Sequence, residues 1–310
     1  MKIIKVFANQ IVWNAECCIG CIGFFDGVHK GHQKLLQETK KLALQKKCSS
    51  ACITFDQDPW VVLRHDNSIK NLTPPNVRLE KLDALGIDIC YVLHFNNDMA
   101  SLKKENFIAL LKNLKIQTLL CGNDFRFAYK NEGDVNYLQK KINTIVMEML
   151  EFEDHKVASS TIEKSIKNGD IRFANACLGN MYEIRGHVIH GNQVGRTLDF
   201  PTANIQVDEN YVWPAKGVYA GCIKVHHKIH IAIINVGYNP TLNTRVNISL
   251  EAYILDFNED IYGEYIHLMF YQKLREEIKF SSKIKLITQM YKDEERVREL
   301  QDEIKIVSQN

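Results

Sequence analysis

Two kinds of hydrophobic patterning divide this chain. Up to about residue 180, short apolar runs alternate with stretches whose apolar positions recur every three to four residues. The runs fall at the N-terminus, at Ile19–Phe25, Ala51–Phe55, Ile89–Phe95, Ile116–Cys121 and Thr144–Met149, and read as strands. Between them Gly31–Lys47, Asn76–Leu85, Leu102–Leu114 and Val135–Lys141 carry helical spacing, as with Leu35, Leu36, Thr39, Leu42 and Ala43. This alternation predicts an α/β unit with a parallel sheet and helices on both faces, because each parallel crossover needs a dozen or so residues. Past residue 181 the pattern becomes a succession of extended runs: Tyr182–Ile189, Ala203–Val207, Val218–Val225, Ile229–Val236, Ile248–Leu255 and Ile261–Phe270. Turn residues separate them, which predicts an antiparallel barrel of about six strands. A closing helix follows, with Ser282 as N-cap and Ile284, Ile287, Tyr291, Val297, Leu300 and Ile304 at helical spacing. Gly169–Asn180 holds two further helical turns and turn residues, so the boundary is placed near 180, giving units 1–180 and 181–310.

Composition narrows the function classes. A hydrophobic share of 45%, charged residues at 25% and a net charge of +2 describe an ordinary globular chain without a broad basic field, so no nucleic-acid partner is implied. No apolar segment approaches a membrane span, and the N-terminus lacks an extended apolar secretory region, so a cytoplasmic protein with no membrane partner is expected. Nine cysteines scattered among strand-like runs read as reduced, buried thiols. Cys18-Ile19-Gly20-Cys21 is formally C-x-x-C, but it lies in an extended apolar run with no partner pair elsewhere. His226, His227 and His230 lie between two strand-like runs and read as a solvated hairpin.

Candidate chemistry sits in two glycine-bearing stretches. In Gly23–His32, G-F-F-D-G-V-H-K-G-H, an apolar strand turns into a helix with His29 and His32 three residues apart. At a helix start the first N–H groups are unpaired and the macrodipole favours anions, so both histidines can face one phosphate. Gly27 and Gly31 allow close approach of a triphosphate. The same motif is compatible with a helix start carrying two solvated histidines. The second stretch, Gly191–Asn204, joins two glycines and an arginine to Pro-Thr-Ala-Asn at the start of a strand. Its turn can wrap phosphates with backbone N–H groups, while Thr202 and Asn204 supply neutral oxygens suited to Mg²⁺. No Walker-type G-x-x-x-x-G-K-[ST] is present.

H-x-G-H after a strand resembles the nucleotidyltransferase superfamily. The full order is more specific: G-F-F-D-G-V-H-K-G-H, G-N-D-F-R-F, G-x-x-x-G-R-x-L-x-F-P-T-A-N, G-V-Y-A, N-P-T, E-A-Y-I-L-D-F, I-Y-G and L-R-E-E-I-K-F. It resembles the bacterial bifunctional riboflavin kinase/FMN adenylyltransferase family over nearly the whole chain. The resemblance implies a Rossmann-like nucleotidyltransferase domain that transfers AMP from ATP to FMN, and a six-stranded β-barrel riboflavin kinase domain with a terminal helix. It further implies Mg²⁺ as cofactor, riboflavin, FMN and ATP as substrates, FMN and FAD as products, and a monomer or weak homo-oligomer.

By position, Glu251 is expected as the kinase's general base; like charge from a triphosphate biases a carboxylate's pKa upward, and Mg²⁺ opposes this. Thr202 and Asn204 are expected to hold Mg²⁺ and ATP, Gly191, Gly195 and Arg196 to form the phosphate flap, and Arg275 and Glu277 to lie on the flavin side. In the transferase, His29 and His32 are the catalytic histidines. Gly23, Phe25, Asp26, Gly27, Gly31, Asp124 and Arg126 are expected at ATP, with a turn-capping role for Asp124 as the alternative.

The N-terminal half departs from the family pattern. Phe55-Asp56-Gln57-Asp58-Pro59 stands where F-x-P-H-P is usual, and Ala128 replaces the glycine after D-F-R-F. The arginines of S-S-T-R-I-R fall on Thr161 and Glu163, or on Ile162 and Lys164 in the neighbouring register. A slow adenylyl transfer is therefore expected. The alternatives are a riboflavin kinase with a weakened or inactive transferase domain, and a flavin-binding regulatory protein.

Overall fold

The computed structural model describes residues 1–8, 16–148, 150–191, 200–239 and 247–308. By contacts the chain divides into two compact units, Met1–Ser159 and Ser160–Asn310.

In the first unit six strands form one parallel sheet: β1 (Lys2–Val6), β2 (Cys18–Ile22), β3 (Ser49–Phe55), β4 (Ile89–Leu93), β5 (Ile116–Gly122) and β6 (Asn143–Met147). Their spatial order is β1-β4-β3-β2-β5-β6. β2 and β4 are buried at every position, so they read as unbroken apolar runs rather than as alternation. Cores lie on both faces, one around Tyr91, Leu111 and Leu119, the other around Leu36, Leu82 and Val92. Helix α1 (Lys30–Lys46) buries Leu35, Leu36, Thr39 and Ala43, the face its apolar spacing marks. Cys18 and Cys21, three apart on a strand, fall in the two different cores, so they form no pair. After β2 the chain builds outward through β3 and β4, then returns to place β5 on the other side of β2. That reversal opens a crevice beyond the carboxyl ends of β2 and β5, where Gly23 and Gly122 emerge.

Two expectations need correction. Cys17 and Cys48, just before β2 and β3, are disulfide-bonded with Cα atoms 5.2 Å apart; the other seven cysteines are buried thiols outside any disulfide. Parallel pairing sets Cys18 opposite Ser49, which brings the preceding residues together. Helix α2 (Pro59–Arg64) was not expected; Asp58 caps it by accepting the Trp60 N–H at 2.8 Å, and Pro59 occupies its first turn. Helix α3 (Pro75–Ala84) and helix α4 (Lys104–Asn113) match the periodicity.

In the second unit, helices α5 (Ser159–Asn168) and α6 (Ile171–Leu178) precede the barrel. The six strands are β7 (Tyr182–Ile189), β8 (Thr202–Gln206), β9 (Gly217–Val225), β10 (Lys228–Asn239), β11 (Asn247–Ile254) and β12 (Tyr265–Arg275). They close in the order β7-β8-β11-β10-β9-β12, every described pairing antiparallel. The last strand starts later and runs further than its apolar pattern suggests. The Tyr262 N–H binds Asp260 Oδ1 and Gly263 adopts φ +81°, which makes a turn of residues read as strand. His226 and His227, both at positive φ, form the two-residue β9–β10 hairpin turn, and His226 faces Glu259 and Glu264. Helix α7 (Lys283–Ser308) starts at Ser282, whose Oγ accepts the Lys285 N–H at 3.3 Å. It buries Val297, Leu300 and Ile304 against Met181, Cys222 and Ile231, while Ile284 and Tyr291 stay exposed.

Candidate active sites

At the crevice of the sheet, His29 is the N-cap of α1 and its Nδ1 accepts the His32 N–H at 3.3 Å. That bond leaves the proton of neutral His29 on Nε2, which fixes it as a donor. The two rings stack at 3.6 Å, 17° from parallel, and Phe25 meets His32 edge-on at 5.2 Å. Gly31 permits this stacking, because a Cβ there would lie 3.2 Å from two atoms of the His29 ring. Burial lowers the pKa of His29 to about 4. Burial also holds His32 well below its ordinary value, and His29 and Arg78 add to the effect. Both are therefore neutral near pH 7. His32 Nδ1 is buried and has no hydrogen-bond partner among the described residues.

A cavity of about 260 Å³ brings Gly23, His29, Gly31, His32 and Asp124 together, with Ala158 and Ser159 on its wall. Four other expected residues are placed differently. Phe25 is fully buried in the core with φ +59°, and Gly27 bends the backbone at φ +77°. Asp26 points away from that cavity: its carboxylate accepts the Leu72 and Thr73 N–H groups at 3.0 and 2.8 Å, and burial raises its pKa to about 6. Arg126 lines a second cavity of about 640 Å³ and faces Asp134 at 3.6 Å. That cavity is walled by Phe55, Trp60, Phe95, Phe107, Phe125 and Phe127. Phe125 lines both cavities.

Sequence reasoning missed the aromatic cavity and Arg78. The Arg78 side chain, 1% exposed, donates from Nη2 to the Phe55 carbonyl at 2.5 Å and lies 4.3 Å over the Phe24 ring. Its Nε and Nη1 are buried without hydrogen-bond partners among the described residues. A basic residue between the core positions Val77 and Leu82 was the available signal.

In the barrel, register builds the site. Asn204 on β8 pairs with Glu251 on β11, and Glu251 pairs on its other side with Asn235 on β10. Thr202, two residues before Asn204, shares its face of β8 and hydrogen-bonds Glu251. Burial raises the Glu251 pKa; the Thr202 bond lowers it and the Glu277 carboxylate raises it further. A cavity of about 660 Å³ joins Thr202, Asn235, Glu251, Arg275 and Glu277. Phe200 closes one wall, edge-on to Tyr253 and Tyr291 at 5.0 Å each. Asn204 packs on Gly191 instead, where a Cβ would fall 2.2 Å from its amide nitrogen. Gly195 and Arg196 lie outside the described residues.

A parallel sheet with a histidine-bearing crevice, followed by a closed barrel with a carboxylate between two asparagines, defines a two-domain transferase acting on nucleotides. A family model described as FAD synthetase matches residues 12–165, and one described as riboflavin kinase matches 178–301. A bifunctional riboflavin kinase/FMN adenylyltransferase from Listeria monocytogenes is 38% identical over 92% of this chain and 93% of its own length. Its Escherichia coli counterpart is 31% identical over 96% and 97%. The chain belongs to the bifunctional riboflavin kinase/FMN adenylyltransferase family. A solved structure described as a macrolide-efflux protein from Streptococcus pneumoniae is 30% identical, covers 96% of this chain and 99% of its own, and superimposes with a TM-score of 0.90. Among the described residues no helix is long and apolar enough to cross a membrane.

Proposed function

We propose that this chain phosphorylates riboflavin in its barrel and adenylylates FMN in its sheet unit. The observation that carries the kinase is Glu251 on the wall of a cavity large enough for a flavin, with Thr202 and Asn235 beside it there and Asn204 paired to it in register. Glu251 takes the proton of the riboflavin 5′-hydroxyl as that oxygen bonds to the γ-phosphorus and the bond from γ-phosphorus to the bridging oxygen breaks, releasing ADP. Its raised pKa makes it a stronger base than an ordinary carboxylate. The Thr202 hydroxyl and Asn204 amide oxygen are hard neutral donors and fit Mg²⁺. The ion, when bound with ATP, supplies charge neutralisation at the transferred phosphoryl group.

In the sheet unit an FMN phosphate oxygen attacks the α-phosphorus of ATP, and the bond to the β-phosphate oxygen breaks to release pyrophosphate. No covalent enzyme intermediate is needed. The His29 Nε2–H donates to the triphosphate, and His32 has an unpartnered buried nitrogen available beside it. The aromatic cavity takes the isoalloxazine ring, with Arg126 and Lys130 on its wall, and Phe125 joins it to the histidine cavity.

A second reading, a kinase with slow adenylyl transfer, draws on Thr161, Glu163 and Asp58. Glu163 faces Lys167, and the other register offers Ile162, which is fully buried. Chromatography of products from purified protein, riboflavin and MgATP decides: FMN plus FAD supports both activities, FMN alone the second reading, and neither product refutes the enzyme.

A further inference from the structure

Arg275 and Glu277 both reach the flavin cavity of the barrel, but Arg275 is not a free cation. It is the last residue of β12, and α7 sets Asp293 against it. Arg275 Nε lies 2.9 and 3.0 Å from the two Asp293 oxygens, and Nη2 lies 2.6 Å from Oδ2. Gln289 Nε2 donates to Asp293 Oδ1 at 2.9 Å, and Arg275 Nη1 donates to the Glu276 carbonyl at 3.0 Å. The pair is largely covered, with side-chain exposures of 18% and 7%. A guanidinium gripped along one edge by a carboxylate is fixed in plane and direction, and its charge is balanced. The segment between the two partners carries Glu277, Ile278, Lys279 and Phe280, all on the cavity wall.

We propose that Asp293 is a positioning residue for flavin selection: it ties the strand end to α7, holding residues 277–280 against the ring, and it masks the Arg275 charge from the cavity. The two effects favour the same ligand. Riboflavin is neutral, and its ring needs a shaped wall rather than a cation. FMN is a phosphate dianion, and an unmasked arginine on the same wall would retain it. Asp293 thus favours the substrate over the product. This inference rests on the kinase reading of the barrel.

The test is initial-rate kinetics on the full chain, following labelled riboflavin into FMN plus FAD, with unlabelled FMN added as inhibitor. Asp293→Asn is expected to raise the riboflavin KM about tenfold, keep kcat within about threefold, and tighten FMN inhibition several-fold. A purely structural defect would weaken both ligands together. Asp293→Glu, which keeps the charge, is expected to recover much of the difference. Should Asp293→Asn fail to fold, Asp293→Ser compared with the pair Arg275→Met and Asp293→Leu decides: both lose the tie and raise the riboflavin KM, but only Asp293→Ser leaves the arginine unmasked, so it is expected to be inhibited by FMN several-fold more tightly than the pair. A riboflavin KM within twofold of wild type, or parallel weakening of riboflavin and FMN in the variants that keep Arg275, overturns the proposal. Absence of FMN formation by the wild type would instead overturn the kinase reading itself.

Discussion

Two buried titratable groups three residues apart at the transferase crevice link folding to pH with opposite signs. Burial lowers His29 from 6.5 to about 4 and raises Asp26 from 3.8 to about 6. Below pH 6.5 the unfolded chain protonates the histidine, whereas the folded unit refuses that proton until about pH 4, so the histidine makes stability fall as pH drops through that window. Asp26 keeps its proton up to about pH 6 when folded but only to 3.8 when unfolded, so its contribution to stability rises as pH drops and is lost as pH climbs through 6. Integrated from pH 7 to pH 5, the histidine costs about 2 kcal/mol and the aspartate returns about 1 kcal/mol. His29→Asn should remove the loss, so its stability difference between the two pH values should lie about 2 kcal/mol above the wild type's. Asp26→Asn should lie about 1 kcal/mol below. Each variant also changes absolute stability, Asp26→Asn through its bonds to Leu72 and Thr73, which is why the pH difference is the quantity read. Native-state hydrogen exchange of β2 and β3 amides, corrected for intrinsic exchange, reports the sheet unit alone. If both variants shift with the same sign, or both stay within about 0.5 kcal/mol of wild type, burial does not govern these groups.

Glu251→Gln should lower FMN formation from riboflavin by about 10²–10⁴ while leaving FAD formation from supplied FMN near wild type, checked by separate assays of the two steps. Gly191→Ala should disable the kinase similarly, because its Cβ would occupy the Asn204 amide position; the readout is a selective loss in the riboflavin assay. Ala128, at φ +68° and ψ −177°, sits in a conformation that favours glycine, so Ala128→Gly should raise sheet-unit stability by about 1 kcal/mol in the same exchange measurement. FAD formation should be slower than FMN formation in the wild type, and Thr161→Arg with Glu163→Arg should speed it without changing the kinase. Equal wild-type rates together with no effect of that pair would show that the missing arginines are not needed.

Elements with one dominant local signal were legible. α1, α3 and α4 follow helical spacing, and the strands β2 and β4 are unbroken apolar runs. Where two signals competed, tertiary context decided. Ile261 extends an apolar run into β12, yet Asp260 and Gly263 fold that segment into a turn. Cys17 and Cys48 lie 31 residues apart, and only the β2–β3 register brings them together. α5 is short, and its apolar signal is little more than Ile162 and Ile166, four residues apart on one buried face.

The sites divide in the same way. The histidine motif is contiguous, so spacing alone places both rings at a helix start; Glu251 and Asn204 are 47 residues apart and meet only through strand register. The aromatic cavity draws on β3, α2, the β4 exit, α4 and the loop after β5, so no window of sequence announces it. Asp58 shows how such a site hides. In sequence it marks the loss of the histidine expected in F-x-P-H-P. In the structure its carboxylate caps α2, and that helix sets Trp60 on the cavity wall beneath Arg64, whose guanidinium lies 4.5 Å over the indole ring. A histidine at this position would offer only a ring nitrogen, as His29 does to the His32 N–H at 3.3 Å, whereas the Asp58 carboxylate accepts the Trp60 N–H at 2.8 Å. The departure that reads as a missing group at the nucleotide is therefore, in this chain, the start of the helix that carries Trp60 onto the wall of the aromatic cavity.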